Sequence, residues 1–195
     1  MIKSVLPLSA IIALRFFGLF LVLPVISVYA INLEGATTTL VGIVIGGYAL
    51  TQMLFQIPFG VISDKLGRKG TIIMGLLLFA IGSIICALST DIYSLIFGRL
   101  LQGAGSIGAV VTAMISDLVK EEQRPKAMAV MGSSIAFAFA ISMIAGPTIG
   151  AAFGVQSLFY ITLFLALASP FLLAIPISSR IISSSKEPKR PFTSE

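Results

Sequence analysis

Charged residues that could form ion pairs are concentrated in a short segment, 60–69, between two long uncharged stretches. The segment reads Gly-Val-Ile-Ser-Asp-Lys-Leu-Gly-Arg-Lys. Gly67 permits a turn with positive φ, and Gly60 lets two helix ends approach closely. Asp64 can accept hydrogen bonds from a helix N-terminus, where carboxylates are favoured. The pattern therefore predicts a tight hairpin that carries an acid among bases.

The basic residues that end this segment are candidates for an electrostatic cluster. The planar guanidinium of Arg68, which precedes Lys69, suits a carboxylate partner. The best partner is Asp117, at the end of a later apolar stretch, and Arg124 follows closely enough to join it. Alternatively, the segment only sets membrane orientation and keeps the loop soluble. The glycines and the acid favour the cluster, because lysine and arginine alone would set orientation.

A second candidate site is Arg99-Leu-Leu-Gln102-Gly103-Ala-Gly. If a helix begins near Ile92, Arg99 lies roughly 10 Å inside the membrane. A buried guanidinium is costly there and needs partners or a water-filled cavity. The alternative is an arginine that extends to the outer interface.

Polar residues in two other apolar stretches could line such a cavity. Tyr48, Gln52 and Gln56 recur at intervals of four and share one helical face, which should point into a bundle. Arg15 lies in the first apolar stretch and either extends to the interface or lines the cavity. Alternatively, Tyr48, Gln52 and Gln56 form hydrogen bonds to neighbouring helices and have a structural role only. The sequence favours neither interpretation over the other.

Composition identifies the solvent of this chain as lipid. Of its 195 residues 57% are hydrophobic and 11% charged, against about 25% charged in soluble domains, and mean hydropathy is +1.06. Spanning a bilayer takes about 20 residues. We predict an all-α integral membrane bundle over residues 1–177 and a cytoplasmic tail over 178–195, with helices at about 6–31, 40–62, 70–89, 92–117, 127–149 and 157–177.

The distribution of charge predicts orientation and excludes several functions. Basic residues concentrate at the ends and loops on one side, whereas the other side holds Glu34 and Asp91. The positive-inside rule then places both termini in the cytoplasm. We expect the lipid bilayer, and not nucleic acid, as the partner of this charge. Histidine is absent and Cys86 is the single cysteine, so no metal site of His and Cys is expected.

These motifs together resemble the major facilitator superfamily of transporters. The 60–69 segment is similar to the loop between helices 2 and 3 of that superfamily, and 99–105 to its helix-4 motif. The resemblance implies that Asp64, Arg68, Asp117 and Arg124 latch the outward-facing state. It also implies that Arg99, Gln102 and Gly103 take part in proton coupling.

Two further motifs resemble drug:proton antiporters of the superfamily. Gly146-Pro147-Thr-Ile-Gly150 is similar to the antiporter motif of helix 5, although Ser142 and Ala151 replace two of its glycines. A proline there removes a backbone hydrogen bond and kinks the helix; an ordinary membrane proline is the alternative. Gly18, Pro24 and Tyr29 resemble the first-helix motif, and we expect Tyr29 and Glu34 among the cavity residues.

The resemblance implies one six-helix half, built from two inverted three-helix repeats, of a twelve-helix secondary transporter in an inner membrane. Such a protein would export a small hydrophobic or amphipathic solute by proton antiport, with the proton gradient as energy source and no cofactor. Its partner would be a C-terminal six-helix half or a second copy. No acid lies near mid-membrane, so the proton carrier is Glu34 at a cavity mouth, a moving Asp117, or a residue elsewhere.

Alternatives are an uptake symporter or uniporter of the same fold, and a non-transporting half-length membrane partner. An enzyme is not expected, because the sequence offers no nucleophile–base pair, metal cluster or phosphate loop.

Overall fold

A computed structural model describes residues 2–174 as an all-helical bundle. The predicted tail, 178–195, and the end of the sixth predicted helix lie outside the described residues. The α-helices are α1 Ile2–Val22, α2 Ile26–Ala30, α3 Thr38–Leu66, α4 Arg68–Leu88, α5 Ile92–Ala104, α6 Gly108–Leu118, α7 Arg124–Phe153 and α8 Val155–Ala168. Short 3₁₀ helices at Glu121–Gln123 and Ser169–Ala174 precede α7 and follow α8.

Six helical stretches are long and apolar enough to cross a membrane, which confirms the predicted all-α, six-span fold. Two of the predicted helices are interrupted. The first, expected at 6–31, breaks at residues 23–25, where Pro24 cannot continue the hydrogen-bond ladder. The fourth, expected at 92–117, breaks at Gly105–Ile107 between α5 and α6.

The hairpin between α3 and α4 is shorter than predicted. Helix α3 continues to Leu66 and α4 begins at Arg68, so Gly67 alone separates them. Gly67 has φ of 90°, which confirms the predicted positive φ. The close approach predicted at Gly60 was wrong: Gly60 lies inside α3, and no neighbouring helix comes near it, since a Cβ on this residue would meet no atom within 4 Å among the described residues.

The bundle places α1 against α7 and α8, α3 against α5, and α4 against α5 and α8. Glycines bring these helices together. A Cβ on Gly146 would collide with the backbone carbonyl of Leu21, so α7 lies directly on α1. A Cβ on Gly103 would collide with Thr51 and the carbonyl of Tyr48, so α5 lies directly on α3.

Helices α3 and α7 carry large exposed apolar side chains along most of their length. In the most apolar stretch of each helix, 22% of the residues of α3 and 17% of those of α7 are buried. In α1 and α4, more than half of the residues in that stretch are buried. These two helices therefore present the widest surfaces to lipid or to another protein.

A short connection holds together the segments that precede α3 and α5. Glu34 and Asp91 form an isolated parallel bridge, in which the Glu34 carbonyl accepts from the amide of Ile92 at 3.0 Å. Asp91 caps α5: Oδ1 accepts from the amides of Tyr93 and Ser94, each at 2.9 Å. The Ser94 amide and hydroxyl hold the pKa of the Asp91 carboxyl below its usual range.

Candidate substrate cavity and hairpin charge cluster

A cavity of about 680 Å³ opens between α1, α3 and α5. Its wall is apolar except for one stripe of α3 and one residue of α5. The lining residues are Leu19, Leu23, Ile45, Tyr48, Ala49, Gln52, Met53, Gln56, Ile57 and Arg99. The three polar residues predicted to share a face of the second membrane helix thus line one cavity together with Arg99.

Arg99 reaches this cavity from α5 with its guanidinium almost wholly enclosed, at 1% exposure. Its Cζ lies 4.6 Å from the ring centroid of Tyr48, within cation–π range. Its Nε donates to the carbonyl of Val44 at 3.4 Å, and Nη1 donates to Oε1 of Gln102 at 2.9 Å. Arg99 therefore has partners inside the bundle and does not extend to the outer interface.

Gln102 connects Arg99 to the neighbouring helix. Its Nε2 donates to the hydroxyl of Ser83 on α4 at 2.8 Å, and that hydroxyl donates to the carbonyl of Phe79 at 2.7 Å. Arg99 and Gln102 lie one turn apart on α5, and both are buried. The chain of hydrogen bonds fixes the guanidinium relative to α3, α4 and α5.

Further along the stripe, Gln56 is tied to the break between α5 and α6. Ser106 in this break donates to Oε1 of Gln56 at 3.0 Å. In contrast, the hydroxyl of Tyr48 and Oε1 of Gln52 are buried and have no hydrogen-bond partner among residues 2–174. A buried polar atom without a partner is costly, so these two atoms are available to a ligand or to water.

Three residues predicted to line the cavity lie elsewhere. Arg15 is buried at 2% exposure, with its Cζ 5.0 Å from the ring centroid of Phe79 and outside the cavity wall. Tyr29 donates to the carbonyl of Ser89 at 3.4 Å, which joins the end of α2 to the end of α4. Glu34 lies exposed in the connection between α2 and α3 and is not among the lining residues.

The second cluster surrounds Arg68 at the α3–α4 hairpin. Its Nε donates to Oδ2 of Asp117 at 3.1 Å, and its Nη1 pairs with Oδ1 of Asp64 at 2.6 Å. The same Nη1 donates to the hydroxyl of Ser63 at 2.6 Å. Arg68 thus joins the ends of α3, α4 and α6, as the sequence predicted for Arg68 and Asp117.

Other residues predicted for this cluster are placed differently. Asp64 contacts the Arg68 side chain and accepts no helix N-terminal amide among the described residues. Arg124, at the start of α7, forms no ion pair within the part of the chain that the structure describes. Lys69 donates from Nζ to the carbonyl of Leu173 at 3.4 Å, which links α4 to the end of the last described helix. A pocket of about 370 Å³ adjoins Arg68, Lys69 and Asp117.

The helix-5 motif is a packing element in this structure. A Cβ on Gly146 would collide with the Leu21 backbone, whereas a Cβ on Gly150 would be in ordinary contact with Leu158 at 3.5 Å. Helix α7 continues past Pro147 to Phe153. Of the two glycines in the motif, Gly146 is therefore the one that requires the absence of a side chain.

Sequence reasoning missed three serines that hold the site together. Ser63, Ser83 and Ser106 each bond a predicted residue: Arg68, Gln102 and Gln56 respectively. Each is a hydroxyl in or beside an apolar stretch, which is a weak signal. Serine in a membrane helix more often bonds its own backbone, so the pattern alone did not distinguish these three.

Known proteins similar to this chain are transporters. A family model described as Major Facilitator Superfamily matches residues 8–194. The inner membrane transport protein YajR of Escherichia coli (strain K12) is 50% identical over 159 residues, 82% of this chain and 35% of that protein. Quinolone resistance protein NorA of Staphylococcus aureus is 35% identical over 151 residues, 76% of this chain and 37% of that protein.

A solved structure with a similar fold is the inward-open xylose transporter XylE of Escherichia coli, with a TM-score of 0.75 and 16% identity. The match covers 94% of this chain and 49% of that structure, so the chain spans between a third and a half of the relatives named here. The similar proteins are transporters and not enzymes, which agrees with the sequence analysis. Because the family model matches nearly the whole chain, this multi-pass membrane protein belongs to the Major Facilitator Superfamily.

Proposed function

We propose that this chain is one six-helix half of a secondary transporter that exports a small hydrophobic or amphipathic solute by proton antiport. The observation that carries the proposal is the cavity between α1, α3 and α5, with an apolar wall and an enclosed arginine. Its volume of about 680 Å³ falls within the range of small-molecule sites. The efflux direction is supported by the similarity to quinolone resistance protein NorA.

Alternating access is the proposed mechanism, with this half rocking against a second half across the cavity. The second half is a C-terminal six-helix domain or a second copy of this chain. The exposed apolar side chains of α3 and α7 offer the surface for that contact. Both termini would lie in the cytoplasm and the bilayer would be an inner membrane.

The charge cluster around Arg68 would stabilise the outward-facing state. Arg68 bridges two carboxylates on different helices, so movement of α6 away from the hairpin breaks the bond to Asp117 and leaves the bond to Asp64. Exposed ion pairs contribute about 0–1 kcal/mol each. The cluster therefore biases an equilibrium between states and does not lock it.

Arg99 is the proposed coupling residue, because it is the charged side chain on the described cavity wall. No carboxylate lies on that wall among the described residues, so the proton-carrying acid would come from the second half. Gln102 and Ser83 would hold the guanidinium in place while the halves move.

The test is transport by the protein purified from its native membrane and reconstituted into proteoliposomes with an imposed pH gradient. Proton antiport predicts that solute flux acidifies the compartment that the solute leaves, in proportion to the flux. Acidification of the compartment that the solute enters would identify a symporter, and flux without any pH change a uniporter. Solute binding without translocation would identify a non-transporting partner protein. The intact mass of the purified species distinguishes a longer transporter from a protein of 20.6 kDa.

A further inference from the structure

The charged side chains inside the bundle are positive. Away from the helix ends, the charged residues of the described helices are Arg15 and Arg99, on α1 and α5. Both are nearly fully enclosed, at 2% and 1% exposure. Among residues 2–174 no carboxylate lies beside either of them, since the ion pairs that the structure describes are those of Arg68.

Such an arrangement is electrostatically incomplete. A charge in a membrane interior needs a counter-charge or extensive hydrogen bonding, and breaking either is costly. Within the described part of the chain, Arg15 lacks both a counter-charge and a complete set of hydrogen bonds. Two of its nitrogens, Nε and Nη2, are buried and have no hydrogen-bond partner among the described residues. Arg99 is better supported, but its partners are a carbonyl, an amide oxygen and an aromatic ring, all of them neutral.

The cavity beside Arg99 adds a hydrogen-bond donor that suits an anion. The Tyr48 hydroxyl is buried without a partner among residues 2–174. Gln52 follows one turn later on the same wall, where its unpartnered Oε1 can accept a hydrogen bond from a polar group of a solute or from water. No carboxylate lies on the described wall to neutralise a cation. Leu19 from α1 and Leu23, which follows it, offer contact to an apolar body.

We propose that the solute bound in this cavity is an amphipathic anion, whose carboxylate-like group pairs with Arg99 and accepts a hydrogen bond from Tyr48 while its apolar body lies against α1. The inference rests on the proposed transport function and specifies the charge of its substrate. It separates this protein from exporters of cationic compounds, which need an acid in the binding site to offset the charge of the solute. The positive charge of Arg15 deeper in the bundle adds to the attraction for an anion.

The direct test compares three probes of equal size and different charge: 1-naphthoate, 1-naphthamide and 1-naphthylmethylammonium. Each is titrated calorimetrically into phosphatidylcholine nanodiscs that contain the full chain, and titration of empty nanodiscs is subtracted to remove partition into lipid. We expect naphthoate to bind about tenfold more tightly than the other two, because a charge-assisted hydrogen bond forms with it alone.

Variants locate the site. Arg99→Gln should abolish the preference for naphthoate, and Tyr48→Phe, which keeps the ring and removes the hydroxyl, should weaken naphthoate binding about threefold. Lys126→Gln removes the same charge from an exposed position on α7 and should leave the preference unchanged. Circular dichroism of each variant checks its helical content, and Tyr48→Phe keeps the test valid if Arg99→Gln does not fold.

Other outcomes overturn the proposal. Tighter binding of the ammonium probe, no binding of naphthoate to the folded chain, or a preference that survives Arg99→Gln would each contradict an anion site at Arg99. Equal binding of all three probes would show that Arg99 is neutralised by a carboxylate of the protein from outside the described residues. Transport of the ammonium probe by the purified transporter would overturn the anionic class and leave the transport function standing, whereas transport of neither charged probe would count against the function itself.

Discussion

Arg68 and Asp117 are 49 residues apart in sequence and joined by a hydrogen bond of 3.1 Å at the α3–α4 hairpin. The bond connects the start of α4 to the end of α6, while the second bond of Arg68, to Asp64, stays within the hairpin. Movement of α6 can therefore break the bond between Arg68 and Asp117 but not the bond between Arg68 and Asp64. This division makes the two acids distinguishable by mutation.

Arg68→Ala should reduce the population of the outward-facing state up to about fivefold, because it removes the ion pair to Asp117, which is worth about 0–1 kcal/mol and forms in that state alone. Asp64→Asn should change the population of the outward-facing state less than Asp117→Asn does, since Asp117 lies on α6 whereas Asp64 lies within the α3–α4 hairpin. The measurement is labelling of single cysteines on the two sides of the membrane in the purified transporter. Unchanged labelling in Arg68→Ala would exclude the latch.

Arg99→Ala should abolish proton-coupled transport, because it removes the charged side chain from the described cavity wall. Arg99→Lys keeps the charge but cannot donate to Gln102 and Val44 in the same fork, so it should retain partial activity. Proton-driven efflux is measured in proteoliposomes, with the variants matched for protein content. Normal efflux by Arg99→Ala would eliminate its coupling role.

Gly146→Ala should destabilise the bundle by about 1–3 kcal/mol, because the new Cβ would collide with the Leu21 carbonyl and force α7 away from α1. Gly132→Ala is the matched control on the same helix, where a Cβ would meet no atom within 4 Å among the described residues. That control should be neutral or stabilising by about 0.5 kcal/mol. Thermal unfolding in detergent, followed by circular dichroism, compares the two; equal loss of stability in both would contradict the packing role.

The cap of α5 should make stability depend on pH in the acidic range. Hydrogen bonds from Ser94 and Tyr93 hold the pKa of Asp91 below its usual range, so the charged form is the stabilising one. Its contribution is complete above the ordinary aspartate pKa of about 4 and is lost as pH falls through the lowered value. Wild type should lose more stability than Asp91→Ala between neutral pH and about pH 2. A constant difference between the two across that range would contradict this assignment.

The fold was largely predictable because each membrane helix must be one long apolar run. Residues within one helix were also placed well: Tyr48, Gln52 and Gln56 share a cavity wall since helical periodicity alone brings them together. The pairing of Arg68 with Asp117 followed from charge at the ends of neighbouring helices. These predictions depend on local periodicity or on where the helices end.

The remaining predictions depended on which residues pack against a given side chain in the folded bundle. The sequence pattern alone does not specify those neighbours. Arg15 and Arg99 look alike in sequence, yet one is enclosed by apolar side chains and the other borders the cavity. Likewise, Gly60 and Gly103 are both glycines of motifs, but only at Gly103 does another helix occupy the space of a side chain. The helix break at residues 105–107 was not predicted, because the small residues there were its strongest sequence signal.

The one-residue connection at Gly67 has a mechanical consequence. Successive Cα atoms are about 3.8 Å apart, so the ends of α3 and α4 have almost no slack between them. A tilt of α3, which carries the polar wall of the cavity, therefore displaces the first residues of α4, and the reverse is equally true. Arg68 is the first residue of α4, so movement of the cavity wall is coupled to the charge cluster through a single residue.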